Sequence, residues 1–216
     1  MRIGVLGTGM VGQAIAGKLV ALGHQVMMGS RSAANEQARE WVAAAGSSAS
    51  QGTFAETAAF GELLFNCTSG SGSLEALASA QPDDLNGKVL IDVANPLDFS
   101  QGMPPSLSVV NTDSLGEQIQ RAFPGARVVK ALNTVNCLLM VDPARVPDEH
   151  DLFIAGDDGA AKQAVRELLE SFGWAADRII DLGDITAARA TEMYLPLWLR
   201  LMGTLQSADF NIKVVR

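Results

Sequence analysis

An α/β fold built on a doubly wound, mostly parallel sheet is predicted by three observations. Short runs rich in Val, Ile and Leu alternate with segments of helical period; the first run passes directly into a glycine loop that opens a helix; and no internal repeat or low-complexity linker breaks the alternation. Residues 2–6 read as the first strand, apolar as a strand buried in a parallel sheet must be. Val11, Ile15, Leu19 and Leu22 recur at helical spacing, and Gly23 supplies the stop. Further strands are expected over residues 25–28, 63–67, 88–93, 127–132, 152–155 and 178–182, and helices over 35–45 and 116–123, the second ended by Pro124 and Gly125. Between the last two strands, Val165, Leu168, Leu169 and Phe172 share one helical face, while Lys162, Arg166, Glu167 and Glu170 can face water. From Thr186 onward the chain reads as helical and rich in Leu, Met and Trp. One sheet domain is therefore expected over 1–183, with a C-terminal helical segment over 184–216 packing on it. In such a sheet, ligands bind where loops leave the carboxyl ends of the strands.

Composition narrows the function. Of the 216 residues, 48% are hydrophobic, enough for one sizeable core but not for two ordinary domains. A formal net charge of -8, without a Lys/Arg run, disfavours nucleic acid and anionic membrane surfaces as partners. The stretch from Tyr194 to Leu205 is broken by Pro196, Arg200 and Gly203 and is too short for a hydrocarbon layer of roughly 30 Å. With Cys67 and Cys137 as the two cysteines and no secretory signal pattern, a reducing, cytoplasmic setting is expected. His24 and His150 stand outside any zinc-like spacing, so no metal is expected.

Gly7-Thr8-Gly9-Met10-Val11-Gly12 matches the dinucleotide fingerprint, between a strand and a helix as the chemistry requires. The first glycine permits the tight turn, the second lets backbone approach a pyrophosphate, and the third allows close packing of helix on strand, giving a Rossmann-type site with phosphate at a helix N-terminus. An NAD site places Asp or Glu after the second strand to accept from ribose hydroxyls. Here the chain reads Gly29-Ser30-Arg31-Ser32. Arg31 can pair with a ribose 2′-phosphate, and Ser30 and Ser32 can donate to it, so NADP(H) is the expected cofactor.

These residues, together with Asp92 to Pro96, Val128 to Thr134, Gly156-Asp157-Asp158 and Ala188 to Glu192, resemble the F420-dependent NADP oxidoreductases. The set is also similar to the cytoplasmic reductase domain of the membrane metalloreductases called STEAP. The resemblance implies that Thr8, Gly9, Met10 and Val11 hold the phosphates and that Ser30 and Arg31 grip the 2′-phosphate. It implies that the nicotinamide lies near Thr68, Ser69, Asn95, Pro96, Ala131, Leu132 and Asn133. It further implies hydride transfer between NADPH and the deazaflavin coenzyme F420, with a flavin such as FMN or FAD as another acceptor. Some members carry a basic residue shortly after the Ser-Arg pair, where this chain has Ala33, Ala34 and Asn35. The loop from Thr68 to Ser73 is small and flexible, where some members have Pro and a bulky residue.

Hydride transfer between stacked rings needs positioning and no dedicated acid or base. Asn133 is either a ligand of the carboxamide or a turn residue, Lys130 reads as a structural or surface lysine with a snorkelling stem, and Cys67 as a buried apolar group. Trp198, Leu199, Leu201, Met202 and Leu205 exceed what one terminal helix needs, which predicts a homodimer face beside the acceptor pocket. The competing functions are a non-catalytic NADP(H) sensor and a reductase of a small carbonyl, imine or metal chelate. A β-hydroxyacid dehydrogenase or imine reductase normally adds a large helical domain, and the short stretch after Leu182 weighs against that expectation here.

Overall fold

The computed structural model describes residues 1–215; Arg216, at the end of the expected C-terminal segment, lies outside them. Among the described residues there are ten strands and ten α-helices. They run β1 (Arg2–Leu6), α1 (Met10–Ala21), β2 (Gln25–Ser30), α2 (Glu36–Ala45), β3 (Ala49–Thr53), α3 (Phe54–Phe60), β4 (Leu63–Asn66), α4 (Gly70–Ala78), α5 (Pro82–Leu85), β5 (Val89–Asp92), β6 (Leu97–Asp98) and β7 (Ser106–Leu107). The second half adds α6 (Leu115–Ala122), β8 (Arg127–Ala131), α7 (Cys137–Val141), β9 (Leu152–Ala155), α8 (Gly159–Phe172), β10 (Ile179–Asp181), α9 (Ala188–Met193) and α10 (Leu195–Leu205).

Eight strands form one sheet in the order β10-β9-β8-β5-β4-β1-β2-β3, parallel except where β9 meets β8. The doubly wound prediction therefore holds. The strand order reverses between β1 and β4, and a switch of this kind opens a crevice at the carboxyl edge. One face of the sheet is covered by α1, α2, α7 and α8 over a core that includes Ile3, Phe65, Ile91, Val129 and Leu169. The opposite face is sealed by a second cluster that includes Leu64, Leu77, Leu90, Ile119 and Ile185.

The structure departs from expectation in several places. β3, α3 and α7 were not anticipated. The stretch expected to be a flexible Gly/Ser loop is helical from Gly70 onward. A β-carbon at Gly70 would lie 2.1 Å from the Asn95 carbonyl oxygen, so only glycine lets this helix start against the β5 loop. The terminal helical stretch ends at Leu205, where Gln206 adopts a left-handed φ of 52°. The residues after it run back as an irregular strap, held by Arg145 to Asp209 (2.8 Å) and by Asn211 Nδ2 donating to the Asp151 carbonyl (2.9 Å). Among the described residues, no helix is long and apolar enough to cross a membrane, and no cluster of His, Cys, Asp and Glu could hold a metal ion.

Candidate functional site

The glycine loop links β1 to α1 at the switch point, and its three glycines do different work. Gly7 adopts φ +120°, and a β-carbon there would sit 2.5 Å from the Cys67 carbonyl oxygen. A β-carbon on Gly12 would lie 2.1 Å from the Gly7 carbonyl oxygen, so the loop folds back on its own helix only with glycine at both positions. A β-carbon on Gly9 would meet nothing within 4 Å. No protein atom therefore requires glycine at this position; the open face in front of it is a cradle that a side chain would fill, as expected where backbone amides approach phosphate. Gln13 Nε2 donates to the Thr8 carbonyl (2.9 Å), and Thr8 Oγ1 donates to Gln37 Oε1 (3.2 Å), which braces the loop against α2.

A cavity of about 690 Å³ opens in front of this loop and brings together Gly7, Thr8, Gly9, Ser30, Arg31, Ser32, Thr68 and Ser69. Its far wall comes from α4, including Glu75, and its floor from Thr53 and Phe54 at the end of β3. Arg31 stands exposed at its mouth, whereas the next arginine, Arg39, pairs with Glu36 at 3.5 Å. Buried Ser30 has its hydroxyl engaged in the turn, donating to the Ser32 carbonyl (2.6 Å) and accepting from the Ser32 amide (3.2 Å). In this conformation Ser30 shapes the turn that presents Arg31, while Ser32 Oγ accepts from the Ala34 amide (3.2 Å) and keeps its proton. A dinucleotide with a 2′-phosphate fits this donor set; no carboxylate stands at the end of β2 to meet bare ribose hydroxyls.

The other residues expected near a nicotinamide lie outside that cavity. Ala131, Leu132, Asn133 and Pro96 are buried and Asn95 half-buried, at the ends of β5 and β8. Leu132 takes a left-handed φ of 65°, an unusual conformation for leucine. Immediately after it, Asn133 Nδ2 donates to Asn95 Oδ1 (3.0 Å) while Asn95 Nδ2 donates to the Asn133 carbonyl (2.8 Å). Met10 and Val11 lie beyond the cavity at the start of α1, Met10 facing a separate apolar groove with Leu138, and Gly12 is buried against Gly7.

Lys130 is not a surface lysine. It is fully enclosed, and its ammonium donates to Asp92 Oδ2 (2.8 Å), Glu192 Oε1 (2.7 Å) and the Ala94 carbonyl (2.5 Å), so all three protons are used. Burial alone would lower the lysine pKa, but the two carboxylates outweigh it and raise it. Burial pushes the Glu192 carboxyl up against the opposing pull of Lys130; Glu192 also accepts from the Leu115 (2.8 Å) and Gly116 (3.0 Å) amides at the start of α6. A solitary lysine in a strand gave no sign of these partners, which are distant in sequence. Burial, and to a lesser degree Asp92, drives the Cys67 thiol pKa far up, which disfavours the thiolate a nucleophile needs; the side chain is half-buried and lines the cavity.

Comparison with known proteins gives these features a family. Residues 2–96 match the family model described as NADP oxidoreductase coenzyme F420-dependent. The F420-dependent NADP reductase of Methanothermobacter marburgensis is 30% identical over 210 residues, covering 93% of this chain and 92% of that protein. The chain belongs to the coenzyme F420-dependent NADP oxidoreductase family. Members are NADP-dependent oxidoreductases, and this chain is one of them. A solved structure from Arthrobacter sp. FB24, described as a candidate F420-dependent NADP-reductase, is 50% identical with a TM-score of 0.94 over 100% of both chains. Rat metalloreductase STEAP3 is 29% identical over 91% of this chain, which spans only 38% of that protein's length. A reductive aminase from Aspergillus terreus shares the fold at a TM-score of 0.67 and 19% identity, over 62% of its own chain.

Proposed function

We propose that this oxidoreductase transfers hydride between NADPH and a deazaflavin acceptor, coenzyme F420. The observation that carries the reading is the pairing, in one cavity, of the open face at Gly9 with Arg31 at a strand end that lacks a carboxylate. NADPH supplies the hydride at its nicotinamide ring, and the residues around it position and shield. In this reading Thr8, Gly9, Met10 and Val11 address the pyrophosphate at the N-terminus of α1, while Arg31 and Ser32 address the 2′-phosphate, on a turn built by Ser30. Thr68 and Ser69 border the nicotinamide end, with buried Pro96, Ala131, Leu132 and Asn133 and half-buried Asn95 packed nearby at the ends of β5 and β8. Supporting this, the Asn95–Asn133 pair ties together the β5 and β8 loops that would flank the ring. No side chain is assigned as acid or base: the hydride passes from nicotinamide C4 to deazaflavin C5 when two rings are held face to face, and the proton that completes the reduced ring at N1 comes from solvent. FMN and FAD are the alternative ring acceptors, and the protein is taken to act in the cytoplasm.

The acceptor side includes α10. Of the five residues expected to form a homodimer face, Leu205 is 54% exposed, while Trp198, Leu199, Leu201 and Met202 are half-buried and Trp198 stacks on Phe210 of the same chain; Leu197 is also 54% exposed. An apolar face of this kind fits a homodimer interface beside the acceptor. Anaerobic mixing of protein, NADPH and F420, followed at the deazaflavin absorbance band, tests the reaction: bleaching matched to NADPH consumption is expected, and no turnover with F420 or FMN overturns it. Light scattering at micromolar concentration tests the dimer, which a monomeric mass would exclude.

A further inference from the structure

We infer that the buried Lys130–Asp92–Asn66 chain fixes the direction of the hydrogen bonds at Thr68, making its hydroxyl an acceptor that takes a ribose hydroxyl of the bound dinucleotide. The inference rests on the dinucleotide reading of the cavity and adds to it which polar group of the ligand Thr68 receives.

The direction follows from the charges. Asp92 is fully buried and ion-paired to Lys130 at 2.8 Å, and a carboxylate only accepts. Its second oxygen lies 2.8 Å from the Asn66 side chain, so the Asn66 amide nitrogen must face Asp92; that nitrogen also donates to Ser73 Oγ (3.0 Å). The Asn66 carbonyl oxygen is thereby turned to Thr68, 2.7 Å from its hydroxyl and 3.3 Å from its amide. Thr68 has one hydroxyl proton, and this oxygen takes it. At the 2.8 Å contact between Thr68 and Ser73, Ser73 is then the donor, its one proton shared between Thr68 and the Ser69 carbonyl (3.2 Å). What Thr68 retains is one free lone pair, on a half-buried side chain lining the cavity beside Gly7 and Gly9. A lone pair repels an ionised phosphate and receives a hydroxyl, so Thr68 selects the sugar and leaves the phosphates to the glycine loop. Asn66 and Asp92 touch no ligand. They act through Thr68 as positioning residues, and Lys130 anchors the Asp92 carboxylate by their ion pair.

The test is a double-mutant cycle read by calorimetric NADPH affinity, with melting temperature as the check on folding. Thr68→Val is expected to weaken NADPH about three- to tenfold, the usual effect of losing one neutral hydrogen bond, and Thr68→Ser to restore it. Asp92→Asn lets Asn66 turn over, so that Thr68 presents a proton instead. It is expected to weaken NADPH about as much as Thr68→Val in the natural protein, and to cause no further loss in the Thr68→Val background. Equal losses in both backgrounds would reduce Asp92 to a structural role and overturn the inference. If Asp92→Asn does not fold, deoxyribose analogues of NADPH decide: the natural protein must discriminate against one of them and Thr68→Val must not. Natural protein that binds no NADPH would overturn the dinucleotide reading, whereas Thr68→Val binding NADPH as tightly as the natural protein would overturn only the Thr68 assignment.

Discussion

The carboxyl edge of the sheet is open on one side of the switch point and filled on the other. Along β1, β2 and β4, the polar groups at the strand ends border a cavity: Gly9 faces empty space and Arg31 is exposed. Along β5 and β8, the strand-end polar groups satisfy one another, with Lys130 using all three protons and Asn95 locked to Asn133. The difference teaches where binding energy can come from. Groups that are unpartnered in the folded chain can gain on meeting a ligand, while groups already satisfied hold the shape and set the orientation of their neighbours.

The largest expected effect strikes the filled side. Lys130→Met would leave Asp92 and Glu192 buried without their cation and is expected to destabilise the fold by about 3–5 kcal/mol. Denaturant unfolding measures it; a loss under 1 kcal/mol would mean that the triad is not buried as described. The open side is probed next by paired alanines. Gly12→Ala forces a β-carbon into the Gly7 carbonyl and is expected to cost about 1–3 kcal/mol of stability and NADPH binding with it. Gly9→Ala is expected to melt as the natural protein does yet lose at least tenfold in NADPH affinity, since its methyl group fills space that only a ligand needs. Equal melting losses for the two variants would erase the distinction.

The smallest effect belongs to the periphery. Two hydrogen bonds from Arg121 (2.8 and 2.9 Å) draw the Asp113 pKa down to about 2. Because the folded value lies below the unfolded one, the pair's contribution is complete above the ordinary aspartate range near 4 and is lost as pH falls toward 2. Asp113→Asn is expected to cost under about 1 kcal/mol at pH 7 and to flatten the acid limb of the stability curve over that interval. An unchanged acid limb would contradict it.

The same contrast decides what could be read from sequence. The open side is local chemistry: Gly7 to Gly12 and Gly29 to Ser32 are contiguous, and their residue types follow from backbone shape and phosphate charge. β3 escaped because Ala49–Thr53 carries none of the Val, Ile and aromatic residues that mark a strand; pairing with β2 imposes its conformation. α4 escaped because Gly70, Ser71, Gly72 and Ser73 are weak helix formers, and their helix depends on Gly70 nesting against Asn95 and on Ser73 joining the Asn66 network. Lys130 was read as structural or surface, and sequence could not decide between the two because its two carboxylates come from β5 and α9, elements that only the folded sheet brings together. Side-chain bonds across distant elements leave no periodicity to detect.

The most direct measurement is a pair of calorimetric titrations, NADPH and NADH, into the natural protein and into Arg31→Ala. NADPH is expected to bind at least tenfold more tightly than NADH to the natural protein, and Arg31→Ala is expected to abolish that preference by weakening NADPH alone. A natural protein that prefers NADH, or an Arg31→Ala variant that keeps its preference for NADPH, would contradict the site as described.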